Sequence, residues 1–145
     1  MAKKNHSRLS MLVRSSATSI YDAFVDPEIL SKFWLKRSSG PLQRGVPVKW
    51  EFMVPGASET TIADKLRSGE LIIFRWSDGI KVKIDIERVS RGSSVVRVVA
   101  GPFPSTSKAV DAAEGFCIVL CDLKILLESG KSPGLVKDKA ALISR

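Results

Sequence analysis

From Val46 onward the apolar residues of this chain fall on every second position, and the pattern repeats through five successive stretches. Val46, Val48, Trp50 and Phe52 alternate with Pro47, Lys49, Glu51 and Met53, as in a strand with one buried face. After Pro55-Gly56 a strand is predicted over Thr60 to Leu66. After Ser68-Gly69 another follows over Leu71 to Trp76, with Ile72, Phe74 and Trp76 on one side. Ser77-Asp78-Gly79 is a hairpin turn signal. Lys81 to Val89 then sets Val82, Ile84 and Ile86 against Lys81, Lys83, Asp85 and Glu87, and Val95 to Ala100 follows Arg91-Gly92. Strands joined by turns this short run antiparallel to their neighbours, and such a sheet keeps one face in water. Its other face needs a cover.

The cover is legible downstream. Gly101-Pro102-Phe103-Pro104 ends the sheet, Ser105 or Thr106 caps a helix, and Gly130 supplies a left-handed stop after Ser129. At 1.5 Å per residue that helix is roughly 35 Å long, enough to cross a sheet. Ala109, Ala112, Ala113, Phe116, Val119, Leu120, Leu123, Leu126 and Leu127 share one broad side of it. Before the sheet, Leu9 to Arg14 reads as a short strand that joins it, and Thr18 to Val25 as a helix. Asp26-Pro27-Glu28 starts a second helix ending near Trp34. Lys36 to Gly45 reads as a polar loop. The expected fold is α+β of the helix-grip type: a curved antiparallel β-sheet wrapped around a long C-terminal helix, with two short helices after the first strand.

With 145 residues the chain is expected to form one domain, over residues 9–130, between a basic tail at 1–8 and another at 131–145. The second tail is either disordered or a short helix from Leu135 to Ile143. Of the formal charge of +8, three units come from Lys3, Lys4 and Arg8. A net three come from Lys131, Lys137, Lys139 and Arg145 against Asp138, leaving two for residues 9–130. The charge therefore sits in the tails, and no basic stripe points to nucleic acid as a partner. Neither a signal-length apolar run nor an uncharged membrane-length stretch occurs, so a cytoplasmic protein without a membrane partner is expected. Cys117 and Cys121 lie one helical turn apart, a poor geometry for a disulfide, and two soft ligands fall short of the four of a structural zinc. No metal and no cofactor are expected.

Ile20-Tyr21-Asp22-Ala23-Phe24-Val25-Asp26-Pro27-Glu28 followed by Phe33-Trp34, the Leu71 to Trp76 strand ending in tryptophan, and Gly115-Phe116 with Leu120, Leu123, Leu127, Glu128 and Gly130 carry a family resemblance. Over residues 9 to 130 the chain resembles the START-like superfamily, also called SRPBCC or birch-pollen-allergen-like. Within it, the chain is similar to the domain named after the activator of the ninety-kilodalton heat-shock protein ATPase. The family pattern has tryptophan where this chain has Phe116. The resemblance implies a fold more than an activity, because members range from lipid and hormone carriers to cyclases.

The period-two register lines the concave face with Val48, Trp50, Phe52, Ile62, Ile72, Phe74, Trp76, Val82, Ile84 and Ile86, closed by Phe116 and Leu120 of the helix. Two readings use these residues equally: a cavity for an apolar or aromatic small molecule, and a fully packed core. Asp64 and Arg88 fall on the same inward register. A buried Asp64 could orient a ligand or serve as a general acid/base, and a strand end or bulge would instead put both side chains in water. Tyr21 offers a phenol at the mouth or a staple between helix and sheet. His6 is the only histidine and falls in the N-terminal tail, and neither a nucleophile elbow nor a phosphate-cradling glycine pattern occurs. On the outer side of the helix Ile118, Cys121 and Ile125 form an apolar strip flanked by Asp111, Glu114 and Asp122. It asks for a cover: a second copy in a homodimer, another partner, or the tail folding back through Leu135, Val136, Leu142 and Ile143. The leading functional reading is non-catalytic binding of an apolar small molecule. The alternatives are a protein-interaction or co-chaperone-type module, and a small cyclase or hydrolase using Asp64.

Overall fold

The computed structural model describes residues 5–144. Its elements are β1 (Asn5–Val13), α1 (Ala17–Val25), α2 (Pro27–Phe33), β2 (Leu35–Ser38), β3 (Pro47–Phe52), β4 (Ser58–Arg67), β5 (Leu71–Trp76), β6 (Lys81–Ser90), β7 (Ser93–Phe103), α3 (Thr106–Ser129) and α4 (Leu135–Ser144). The strands form one antiparallel sheet in the order β1-β7-β6-β5-β4-β3-β2. The meander is thus intact, and β1 returns to pair with β7. The helix-grip architecture follows, with α3 laid against the inner face of the sheet.

Local chemistry sets the helix limits. Ser16 Oγ accepts the Ser19 N–H at the start of α1, and Asp26 Oδ1 accepts the Glu28 N–H at the start of α2, where Pro27 occupies the first turn. Ser105 Oγ accepts the Lys108 N–H at the start of α3. Gly130 ends that helix at φ +83°, donating its N–H to the Leu126 carbonyl, a conformation that costs glycine little.

Two boundaries depart from the sequence reading. Residues 5–8, expected in a solvated tail, belong to β1: Ser7 is buried and donates its hydroxyl to the Ala109 carbonyl of α3 at 2.5 Å. His6 is therefore a strand residue, while Lys3 and Lys4 lie outside the described residues. The loop expected over 36–45 begins with β2, a seventh strand held to β3 by its ladder and by an Arg37–Glu51 ion pair at 3.0 Å. Four residues are too few to show a period, and buried Leu35 is its only apolar member. Of the two readings of the C-terminal segment, the helix is the one observed: residues 135–144 form α4, packed on α3.

The core fills most of the space under α3. Trp50, Phe24, Phe33, Phe74, Ile72, Ile84, Leu120 and Leu123 are all sealed from solvent. The indoles of Trp34 and Trp50 meet edge to face at 5.1 Å, and Trp50 meets Phe74 at 5.0 Å, spacings at which aromatic pairs attract beyond simple burial.

Candidate functional site

Beside this core the apolar surfaces do not close. An apolar cleft of about 350 Å³ lies where α3, α4 and the end of β3 meet, at the low end of small-molecule site volumes. From α3 come Ala112, Gly115, Phe116, Ile118 and Val119, and from α4 Val136, Lys139, Ala140 and Ile143. Phe52, Met53, Val54 and Ala57 form the wall at the β3–β4 turn, and Trp34 and Trp76 complete the lining. Gly115 leaves part of the α3 wall without a side chain; a Cβ there would meet no atom within 4 Å.

The aromatic walls are held from behind. Trp76 stacks on Phe116 with ring planes 9° apart, and Trp34 meets Phe116 edge to face at 5.9 Å. Trp76 donates its indole N–H to Thr61 Oγ1 at 3.0 Å, which fixes the ring against β4. Trp50 lies behind both tryptophans in the core, and its Nε1 is the one buried side-chain polar atom without a hydrogen-bond partner among the described residues.

A buried carboxylate anchors the α4 wall. Asp122 is fully buried; its Oδ1 accepts the Ser132 hydroxyl at 2.7 Å and its Oδ2 accepts the Leu135 N–H at 2.8 Å. The second bond satisfies a free donor in the first turn of α4, where the helix dipole also favours negative charge. Farther along, Lys139 Nζ donates to Glu114 Oε1 across the two helices. These ties hold α4 so that Val136, Ala140 and Ile143 line the same cleft as Ile118.

The sequence-derived site divides accordingly. Phe52, Trp76 and Phe116 line the cleft. Trp50, Phe74, Ile84, Ile86 and Leu120 are core residues behind it. Ile62 and Asp64 require a correction of register. Pairing with β5 sets Thr61 opposite Trp76 and Ala63 opposite Phe74, and residues opposite one another share a face. Thr61 and Ala63 therefore point inward, while Ile62 and Asp64 point out. A bulge between Ala63 and Lys65 then restores the inward side to Leu66, opposite Ile72. One extra residue in a strand inverts every side chain beyond it, so counting back from Leu66 by twos gives the wrong face.

Asp64 pairs instead with Arg75 Nε at 3.0 Å on the outer side of the sheet, away from the cleft, and the catalytic role considered for it lacks its geometry. Arg88 is exposed at the irregular end of β6. Because the Asp64–Arg75 pair is partly solvated, Asp64→Asn is expected to change unfolding stability by less than about 1 kcal/mol. Urea denaturation checks this, and a loss of several kcal/mol would mean a buried carboxylate after all.

Tyr21 belongs to the core under α1, not to the cleft. Burial, and then the neighbouring charge of Asp22, raise its phenol pKa above the ordinary value. On the outer side of α3, Ile118 is taken into the cleft by α4, Cys121 is half-buried and Ile125 is 39% exposed. Burial, and then the nearby Cys117, push the Cys121 thiol pKa up. Asp122, expected beside this strip as a flanking surface charge, turns instead into the junction with α4. Among the described residues no three histidine, cysteine or acidic side chains converge as metal ligands do, and no helix is long and apolar enough to cross a membrane.

Outside the sequence-derived site lie Trp34, Met53, Val54, Ala57, Ala112, Gly115, Val119, Lys139 and Ala140, whereas Val136 and Ile143 belong to the tail considered as a cover folding back on α3. The signal available for Ala140 was its helical spacing with Val136 and Ile143.

No model of a known protein family matches the sequence, and comparison with curated proteins gives no match. Solved structures do match. The protein SSP2350 from Staphylococcus saprophyticus is 25% identical, with a TM-score of 0.79 over 88% of this chain and 94% of that one. The Aha1 dimer from Colwellia psychrerythraea is 21% identical, with a TM-score of 0.80 over 88% of this chain and 98% of that one. A START superfamily protein from Mycobacterium smegmatis is 14% identical, with a TM-score of 0.71 over 87% of this chain and 99% of that one. These likenesses are likenesses of fold, and they span nearly all of each partner.

Proposed function

We propose that this chain, which has the START-like helix-grip fold, binds an apolar or aromatic small molecule in the cleft between α3, α4 and the β3–β4 turn, without catalysis. The observation that carries the reading is the composition of the cleft wall. Apolar and aromatic side chains make up nearly all of it, and Lys139 is its one ionisable residue. A wall of that kind gains free energy when apolar ligand surface leaves water, and it offers no acid and base pair to a reacting group. A cytoplasmic location accords with the two free thiols of Cys117 and Cys121.

The interaction-module reading has less support. Ile125 is the member of the outer strip that α4 leaves most exposed, and Cys121 is half-buried beside it, a smaller surface than stable self-association uses. Likeness to the Aha1 dimer bears on the fold of the subunit.

Occupancy of the cleft can be blocked at Ala140, a small buried residue of α4 on its wall. Calorimetric titration with naphthalene-2-carboxamide is expected to show saturable binding, reduced at least about tenfold in Ala140→Trp, since indole bulk replaces ligand volume. Equal binding by a folded Ala140→Trp protein would place the ligand elsewhere and end the proposal.

A further inference from the structure

We infer that the cleft selects apolar molecules bearing a single carboxylate, with Lys139 as the group that receives it; this rests on the cleft being a ligand site. A carboxylate carried into an apolar wall loses its water and is costly unless a partner replaces it. Lys139 supplies that partner at the wall, and the carboxylate beside it, Glu114, pairs with it from outside the lining. One ammonium without an arginine fork suits one carboxylate better than a dianionic phosphate, which favours bidentate or multiple donors.

The Lys139 ammonium is held by Glu114. That partner is well placed to yield. The Glu114 side chain is 58% exposed, against 33% for Lys139, so Glu114 can swing into water at small cost. Lys139 can meanwhile keep its methylene stem on the apolar wall and turn its head to the mouth. Glu114 is thus the competitor that an acidic ligand displaces, and the two residues should act on affinity in opposite directions.

The volume bounds the apolar body. At ~30 Å³ per water molecule in the liquid, a cleft of about 350 Å³ holds on the order of a dozen waters, hence a ligand of similar heavy-atom count. Naphthalene-2-carboxylate meets that limit, and naphthalene-2-carboxamide is its neutral counterpart of the same shape.

Calorimetric titration of the full chain with this pair at neutral pH tests the inference. The carboxylate should bind about fivefold tighter than the amide, the scale of a partly exposed ion pair. Lys139→Gln should abolish that preference, bringing the ratio of carboxylate to amide affinity to about one, and Glu114→Gln should raise that ratio, a readout that any common loosening of the α4 wall leaves unmoved. Equal affinities in the unmodified protein, or a preference that survives Lys139→Gln, would overturn the role of Lys139 while leaving the cleft as an apolar site. Binding of neither compound would overturn the ligand site and this inference with it.

Discussion

Replacing Trp50 by alanine is expected to lower the free energy of unfolding by about 4 kcal/mol, the scale of removing a large buried aromatic side chain. Trp50 is fully buried and contacts Trp34, Phe74 and Trp76, so truncation opens a hole behind two walls of the cleft. Phenylalanine should cost far less. It keeps most of the packing and removes Nε1, a buried donor without a hydrogen-bond partner; such a donor is itself destabilising by about 1–3 kcal/mol. Trp50→Phe is therefore expected to cost less than half as much as Trp50→Ala, because its cavity is smaller and loss of the unpaired donor offsets part of it. Urea denaturation of the two variants checks the pair. Comparable losses for both would show that the indole N–H is satisfied by a contact not recognised in the core.

Asp122→Ala is expected to release α4. The substitution removes both acceptors for Ser132 and Leu135, and hydrogen bonds to a charged group contribute about 1.5–3 kcal/mol each. A total loss of about 3 kcal/mol is expected, concentrated in α4 because its remaining cross-helix tie is the half-exposed Lys139–Glu114 pair. Hydrogen exchange should report it as faster exchange over residues 135–144 with protection of the β6–β7 ladder little changed. Trypsin should then cut earlier at Lys137 and Lys139. If α4 kept its protection in the variant, its anchor would be the apolar contact of Val136 and Ala140 with α3. Release of α4 should also weaken binding in the cleft, whose outer wall it forms.

Much of the fold could be read from local patterns, and the exceptions have local causes. Strands β3 and β6 alternate cleanly because one face is buried and the other wet, so spacing alone sets Trp50 and Ile84 inward; in β5 the aromatic pair Phe74 and Trp76 marks the inner face although Leu71 on the other side is also buried. In β4 the same rule failed at one residue. The bulge at Asp64 adds a position without changing the sequence pattern, and only pairing with Phe74 and Trp76 reveals which side Thr61 and Ala63 occupy. Asp122 was read as a surface charge because a lone aspartate on a helix usually is one. Its partners lie 10 and 13 residues away, beyond the reach of helical periodicity. The cleft was legible only in part for a more general reason. Periodicity says which side chains face inward, but not where their volumes fail to fill the space between α3 and the sheet.

The ligand site itself can be tested through the three indole N–H groups in a nitrogen-15 NMR titration with naphthalene-2-carboxamide, assigned by Trp→Phe variants. Trp34 and Trp76 line the cleft and Trp50 lies sealed behind them. Saturable shifts are expected at the Trp34 and Trp76 indoles and at amides of α3 and α4 facing the cleft, with a much smaller response at Trp50. Saturable shifts confined to the far side of the sheet, or none at any of the three indoles, would contradict a ligand site in the cleft.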